Sequence, residues 1–251
     1  MDADKLQLVR ACEERIVNAW PAIDTLFAKG CVIRMAAGYS GRANALSAMV
    51  PDTALEPDFL DWAEALYRQA ALPPRVRITP LLAPGMAEML NQRRYVRDSD
   101  AIGMLAPLGN HALFDPSLSV SAEPTAPWVH GICKRQQGNK KDAEAALTGI
   151  VSRIRLPAAF MTLKHEGEDV GFGMAVVERG MAEVGAIIID ERLRGKGLAR
   201  RLVIGLMDWA AQTGASQAYL QVEPTNTHAV DLYRSLGFQE LYRYRTLKLE
   251  S

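Results

Sequence analysis

The segment Ile187-Ile188-Ile189-Asp190-Glu191-Arg192-Leu193-Arg194-Gly195-Lys196-Gly197-Leu198-Ala199-Arg200-Arg201 constrains this chain more than any other. The isoleucine run reads as the end of a strand. Leu198, Leu202, Leu206 and Trp209 then recur at helical spacing until Gly214, which predicts a helix directly after a glycine-containing turn. A helix start leaves its first N–H groups unpaired and carries partial positive charge. Ser, Thr, Asp or Asn normally caps those groups, with acids in the first turn. Here Gly195 and Gly197 stand where the cap belongs, and Arg192, Arg194, Lys196, Arg200 and Arg201 surround them. That sign opposes the helix dipole unless an anion sits there, so amides, dipole and cations together predict a phosphate site. The plainer alternative is a glycine turn with a solvated basic face.

Two familiar phosphate loops do not fit. No Gly-Lys-Ser/Thr closes the segment as a P-loop requires. A dinucleotide fingerprint would place Gly or Ala at Arg200 and follow a parallel crossover, whereas the strands upstream read as hairpins. Residues Ala158 to His165, Val170 to Glu178 and Met181 to Ile189 are apolar runs parted by Glu166-Gly167-Glu168-Asp169 and Arg179-Gly180, which predicts a three-strand antiparallel meander. Downstream, Gln217 to Val222 reads as a strand, Asn226 to Leu236 as a helix stopped by Gly237, and Phe238 to Leu249 as a last strand. Upstream, Leu118 to Ser121 is a candidate strand, and Trp128 to Gln137 and Lys141 to Arg153 are candidate helices.

The first half reads as a worn repeat of part of this plan, the plainer alternative being the chance likeness of two helix–strand units of similar length. Asp61-Trp62-Ala63 leading to Arg75-Val76-Arg77-Ile78-Thr79-Pro80 parallels Asp208-Trp209-Ala210 leading to Leu220-Gln221-Val222-Glu223-Pro224. Met86 to Arg94 followed by Tyr95 parallels Ala229 to Gly237 followed by Phe238, with Leu90 in the place of Tyr233. Prolines at 107, 116, 124 and 127 mark a linker between the halves. The expected division is a domain over residues 1–115 and a second over 116–251.

Bulk composition narrows partners. Lys plus Arg equals Asp plus Glu at 29 each, so no global field draws the chain to nucleic acid or an anionic membrane. Cys12, Cys31 and Cys133 form no C-x-x-C pair and fit free thiols in a reducing cytoplasm. The opening Met1-Asp2-Ala3-Asp4 does not read as a signal peptide, and no apolar run reaches the roughly 20 residues of a membrane span, so a soluble, cytoplasmic protein is expected. His130 and Cys133 lie three apart on a candidate helix, but two such residues without partners are no metal site; no metal is assigned.

Arg192-x-x-Gly195-x-Gly197, followed by Ala199, resembles the R/Q-x-x-G-x-G/A signature of the GNAT superfamily of N-acetyltransferases. Asn226-x-x-Ala229-x-x-Leu232-Tyr233-x-x-Leu236-Gly237-Phe238 resembles the helix and strand after that family's fifth strand, and the two motifs cover residues from about Leu118 to the end. Ala19-Trp20-Pro21-Ala22 and Gly38-Tyr39-Ser40-Gly41-Arg42-Ala43-Asn44 resemble the leading domain of tandem bacterial members. The resemblance implies a mixed α+β GNAT fold, with a central twisted, mostly antiparallel sheet flanked by helices. A smaller, degenerate GNAT-like α/β domain without its own cofactor loop precedes it.

It also implies acetyl-CoA as co-substrate and a small-molecule or peptide amine as acceptor, acetylated by direct attack in a ternary complex. The cofactor residues it implies are Ile187, Ile188, Ile189, Arg192, Arg194, Gly195, Lys196, Gly197, Leu198, Ala199, Arg200, Asn226, Ala229 and Tyr233. Tyr233 matches the family's general acid, since a phenol near the leaving sulfur can protonate it; the plainer alternative is a core tyrosine packed on Phe238. Glu183 and Glu223 are candidate bases, each also readable as a surface carboxylate. Other readings of the whole are an acyl-CoA sensor, a non-catalytic module, or a transferase for a longer acyl group. A monomer and a homodimer are both compatible, and the first half is expected to wall the acceptor site.

Overall fold

The computed structural model describes residues 1–109, 115–136 and 142–250. Contacts divide the chain into two compact units. Unit 1 comprises Met1–Gly103, Val222–Thr225 and Glu240–Ser251; unit 2 comprises Met104–Gln221 and Asn226–Gln239. The contact division therefore differs from a cut at residue 115/116, because the C-terminal strand is built into unit 1.

Unit 1 opens with α1 (Ala3–Ala19), started by Asp2, whose side chain accepts from the Lys5 amide. β1 (Asp24–Ala28) and β2 (Cys31–Met35) form a hairpin whose turn, Lys29-Gly30, has φ 51° and 73°, the left-handed pair that a tight hairpin needs. β3 (Leu46–Ala48), α2 (Pro57–Gln69) and β4 (Arg75–Ile78) make a parallel crossover. α3 (Met86–Gln92) and β5 (Tyr95–Pro107) follow, and β11 (Gln239–Leu249) runs antiparallel to β4 with Arg245 opposite Ile78. The strand order is β1-β2-β3-β4-β11-β5.

An ion pair sealed from solvent lies inside this unit. Arg77 of β4 and Glu13 of α1 have fully buried side chains and bond at 2.5 and 3.0 Å. Tyr242 donates its hydroxyl to Glu13, and the Arg77 guanidinium lies 4.2 Å from the Tyr244 ring centroid. Burial opposes the Arg77 charge, but Glu13, Tyr244 and Tyr242 outweigh it and hold its pKa above the ordinary value. Three elements distant in sequence thus meet on one carboxylate.

Unit 2 contains β6 (Leu118–Ser121), α4 (Ala126–Arg135), α5 (Ala143–Val151), β7 (Ala158–His165), β8 (Glu168–Glu178), β9 (Met181–Ile189), α6 (Leu198–Gln212), β10 (Gln217–Val222) and α7 (Thr227–Ser235). Neighbours run β10-β9-β8-β7-β6; all pairs are antiparallel except β10 with β9. The meander and the helix, strand, helix, strand sequence after it are therefore as anticipated. α4 and α5 are shorter than their sequence windows, whose residues Gln137 and Lys141 lie outside the described set.

Phe172 and Gly173, adjacent on β8, show why helices flank both faces, since successive side chains of a strand point opposite ways. The Phe172 ring fills the space left by Gly131 of α4, where a Cβ would come within 2.1 Å of it. A Cβ on Gly173 would instead meet Leu206 and Leu202 of α6 at 3.0 and 3.4 Å. Trp209 packs against the cluster of Val177, Ala182, Ala210 and Ala215. The chain has the mixed fold expected, with a mostly antiparallel sheet flanked by helices. Among the described residues no helix is long and apolar enough to cross a membrane.

Candidate active site

β9 and β10 part company. Their parallel pairing covers Gln217↔Met181, Ala218↔Ala182 and Tyr219↔Glu183 and goes no further, although β9 continues to Ile189. On its other side β9 remains paired with β8, but the register shifts between Phe172 and Met174. Ala186, with φ 53°, is the residue extruded by this bulge. Ile187 and Ile189 lie over Gly173 and Gly171, where their Cδ1 atoms would meet added Cβ atoms at 2.7 and 2.6 Å. Ile188 stands opposite Phe172. Beyond Glu183, then, one edge of β9 has its main chain turned toward no strand among the described residues.

That edge leads to the loop. Asp190 caps a short 3-10 turn, accepting from the Arg192 amide at 3.1 Å. Gly195 and Gly197 have φ 79° and 75°, with nothing within 4 Å of an added Cβ. α6 begins on Gly197 with no side-chain cap and no acid in its first turn. Among the described residues, the amides of Gly195, Gly197, Leu198 and Ala199 donate to no acceptor. Three of the five surrounding cations, contrary to the expectation of a bare basic site, are already paired with carboxylates. Arg192 is held by Asp190 at 3.0 Å, Arg194 by Glu191 at 3.0 Å and Arg201 by Asp115 at 2.8 and 2.9 Å. Asp115 is accordingly held well below the usual carboxylate range by the Arg201 hydrogen bonds. Among the described residues Lys196 and Arg200 have no carboxylate partner. Arg200 instead donates to Ser235 Oγ at 2.9 Å, which ties the start of α6 to the end of α7.

α7 carries Tyr233, which is 8% exposed and packs edge-on against Phe238 at 5.8 Å between centroids. Asn226 lies outside the helix as its cap, its side chain accepting from the Ala229 amide at 3.2 Å, so its side chain serves the helix end. Glu183 is not a surface carboxylate: it is 2% exposed, at the last pair before the strands part, and its Oε1 would lie 2.6 Å from a Cβ on Gly185. Glu223 is exposed and belongs to unit 1. His130 pairs with Glu144 at 2.8 Å, and no group of three or more metal-ligating side chains occurs among the described residues.

The bulge at Ala186 is the feature that sequence reasoning missed; nothing in an Ala-Ile-Ile-Ile run signals a positive φ. The chain matches, over residues 7–247, the family described as probable histone acetyltransferase Rv0428c C-terminal. The chain belongs to that family. Among curated relatives of this Rv0428c C-terminal family member, the uncharacterized N-acetyltransferase YobR of Bacillus subtilis is 25% identical over 94% of the chain and 98% of its own length. A mycothiol acetyltransferase of Thermobispora bispora is 30% identical over 70% of the chain and 54% of its length. The solved structure of a GCN5-related N-acetyltransferase from Kribbella flavida superposes with TM-score 0.67 at 17% identity, covering 98% of this chain and 95% of that one. The fold is the GNAT fold, and the Rv0428c C-terminal family member is an acyltransferase of the N-acetyltransferase kind.

Proposed function

We propose that this acyltransferase moves an acetyl group from acetyl-CoA to the primary amine of a small molecule by direct attack in a ternary complex. The observation that carries the reading is the uncapped start of α6 at Gly197, reached directly from a strand that has parted from its neighbour. Open amides at a helix start bind phosphate, so those of Gly195, Gly197, Leu198 and Ala199 hold the cofactor pyrophosphate, with Lys196 and Arg200 as the cations free of carboxylates. The main chain of Ile187, Ile188 and Ile189 holds the pantetheine arm, and the small side chain of Ala229 leaves it room. Arg192 and Arg194 meet the phosphates only if they exchange Asp190 and Glu191 for them.

When bound, acetyl-CoA supplies a thioester carbonyl as electrophile. A free amide on the unpartnered edge of β9 donates to the carbonyl oxygen as charge builds on it. Glu183, buried where the strands part, is favoured over exposed Glu223 as the group that takes a proton from the acceptor's ammonium, so that the neutral amine attacks. Tyr233 gives its hydroxyl proton to the departing sulfur, and the second proton, shed by the nitrogen as it becomes an amide, restores the phenol through solvent. The acceptor class is supported by relatives named for small molecules: the mycothiol acetyltransferase and a spermine/spermidine N(1)-acetyltransferase of Bacillus subtilis, 33% identical over 31% of the chain, whose named molecules are polyamines.

Tyr233→Phe tests the assignment. Removing a general acid lowers kcat by about a hundredfold or more while acetyl-CoA affinity stays near wild type, measured by CoA release and by calorimetry. An unchanged kcat removes Tyr233 from the chemistry.

A further inference from the structure

Unit 1 contains a groove of its own that the acetyltransferase reading leaves unused. It has a volume of 520 Å³ and lies between the end of β4, α3, β5 and β11, within the range of about 300–1,000 Å³ typical of small-molecule sites. Ile78, Pro80, Ala87, Ile102 and Pro224 give it apolar walls. Tyr244 of β11 also lines it, while its ring packs on the other face of the strand, stacked on Tyr242 at 6.2 Å and under the buried Arg77 guanidinium at 4.2 Å.

The charges on the groove do not balance. Arg243 is held by both Glu240 oxygens, at 2.7 and 2.8 Å. Asp100 is taken by Arg97. Arg245, on the same wall and in register with Ile78, has no hydrogen-bond or ion-pair partner among the described residues. One uncompensated guanidinium beside apolar walls matches one negative charge on an apolar body. A guanidinium binds a carboxylate through two parallel hydrogen bonds, a geometry that an ammonium lacks. A bare phosphate would leave the apolar walls unmatched and bring more charge than Arg245 offsets.

We infer that unit 1 binds a small apolar monocarboxylate in this groove, its carboxylate on Arg245 and its body against Ile78, Ile102 and Pro224. This is a binding site without chemistry of its own, in the half of the chain that lacks the glycine loop, and it does not depend on the reaction proposed for unit 2.

Calorimetry on the full chain tests it, with 4-methylpentanoate, 4-phenylbutanoate and N-acetyl-leucine as probes and 4-phenylbutanamide and inorganic phosphate as controls. At least one carboxylate binds, and the neutral amide binds about tenfold more weakly or less, the worth of a charge-assisted pair. Arg245→Gln lowers carboxylate affinity by about the same factor. Because Arg245 is exposed, its loss leaves the fold intact, and acetyl-CoA affinity stays at the wild-type value. Ala87→Trp, which fills the groove, abolishes carboxylate binding while Arg245 remains. No binding by any of the three carboxylates, undiminished binding to Arg245→Gln, or phosphate competing as well as the carboxylates would each overturn the site.

Discussion

Gly197 adopts φ 75° and opens α6 with no side chain over the helix end. Both facts follow from the missing Cβ: the left-handed conformation costs an L-residue roughly 1–2 kcal/mol, and any side chain here would stand where the proposed pyrophosphate approaches. The thiols make the opposite case, where environment suppresses chemistry. Burial pushes Cys12 up to about 12, with the Glu13 charge adding to it, and pushes Cys31 up to about 12 as well. Cys133 is only half-buried. At neutral pH, therefore, a disulfide reagent such as DTNB titrates Cys133 first in the native protein, and all three thiols react together only in denaturant. Rapid native labelling of Cys12 or Cys31 would show that their surroundings open.

At the scale of elements, α2 and α6 show why a phosphate loop is proposed for only one half. Each follows a strand and leads to a parallel partner. α2, however, begins on Glu56 with Pro57 at its start and Asp58 in its first turn, a closed and acidic beginning, whereas α6 begins on a bare glycine. α1 hangs on its buried carboxylate. Glu13→Gln leaves the Arg77 charge sealed without its counter-ion, and breaking such a pair costs about 3–5 kcal/mol, to be read from the denaturation midpoint; replacing Glu13 and Arg77 together by Leu and Met recovers part of it. A loss below about 1 kcal/mol would mean the pair is solvated in the native state. The same region shows where sequence stopped being legible. Periodicity and glycines sufficed for β7 to α7, because those runs alternate or repeat cleanly. α1 is less clear because its buried stripe of Val9, Cys12 and Ile16 is interrupted by buried Glu13 and Arg15, which read as solvent-facing. The motif around Gly38 to Asn44 proves to be a clamp, buried Asn44 accepting from the Ala36 and Gly38 amides at 2.7 and 3.1 Å. The ion pair of Arg201 is not legible in the sequence because its partner, Asp115, is 86 positions away, whereas Asp190 and Glu191, which hold Arg192 and Arg194, lie only two and three positions away.

For the whole molecule, the order of the chain is not the order of its parts. The chain leaves unit 2 for Val222–Thr225, returns for α7, and ends in unit 1 with β11. Removing residues 1–116 to isolate the transferase half would strip β11 of β4, so such a deletion exposes a strand edge as well as removing unit 1. Truncation after Gln239 is predicted to unfold unit 1 first, because it takes away the Tyr242 hydroxyl on Glu13 and the strand paired with β4. Hydrogen exchange of the truncated chain should show lost protection in β4 and α1; full protection there would mean unit 1 is complete without β11. The most direct test of the account is calorimetric titration of acetyl-CoA into the intact chain and into Gly197→Asp. The substitution sets a strained side chain and a negative charge at the opening of α6, and affinity is predicted to fall by at least about a hundredfold, or some 2.7 kcal/mol, with the melting temperature little changed. Equal affinity in the two proteins would place the pyrophosphate elsewhere and contradict the account.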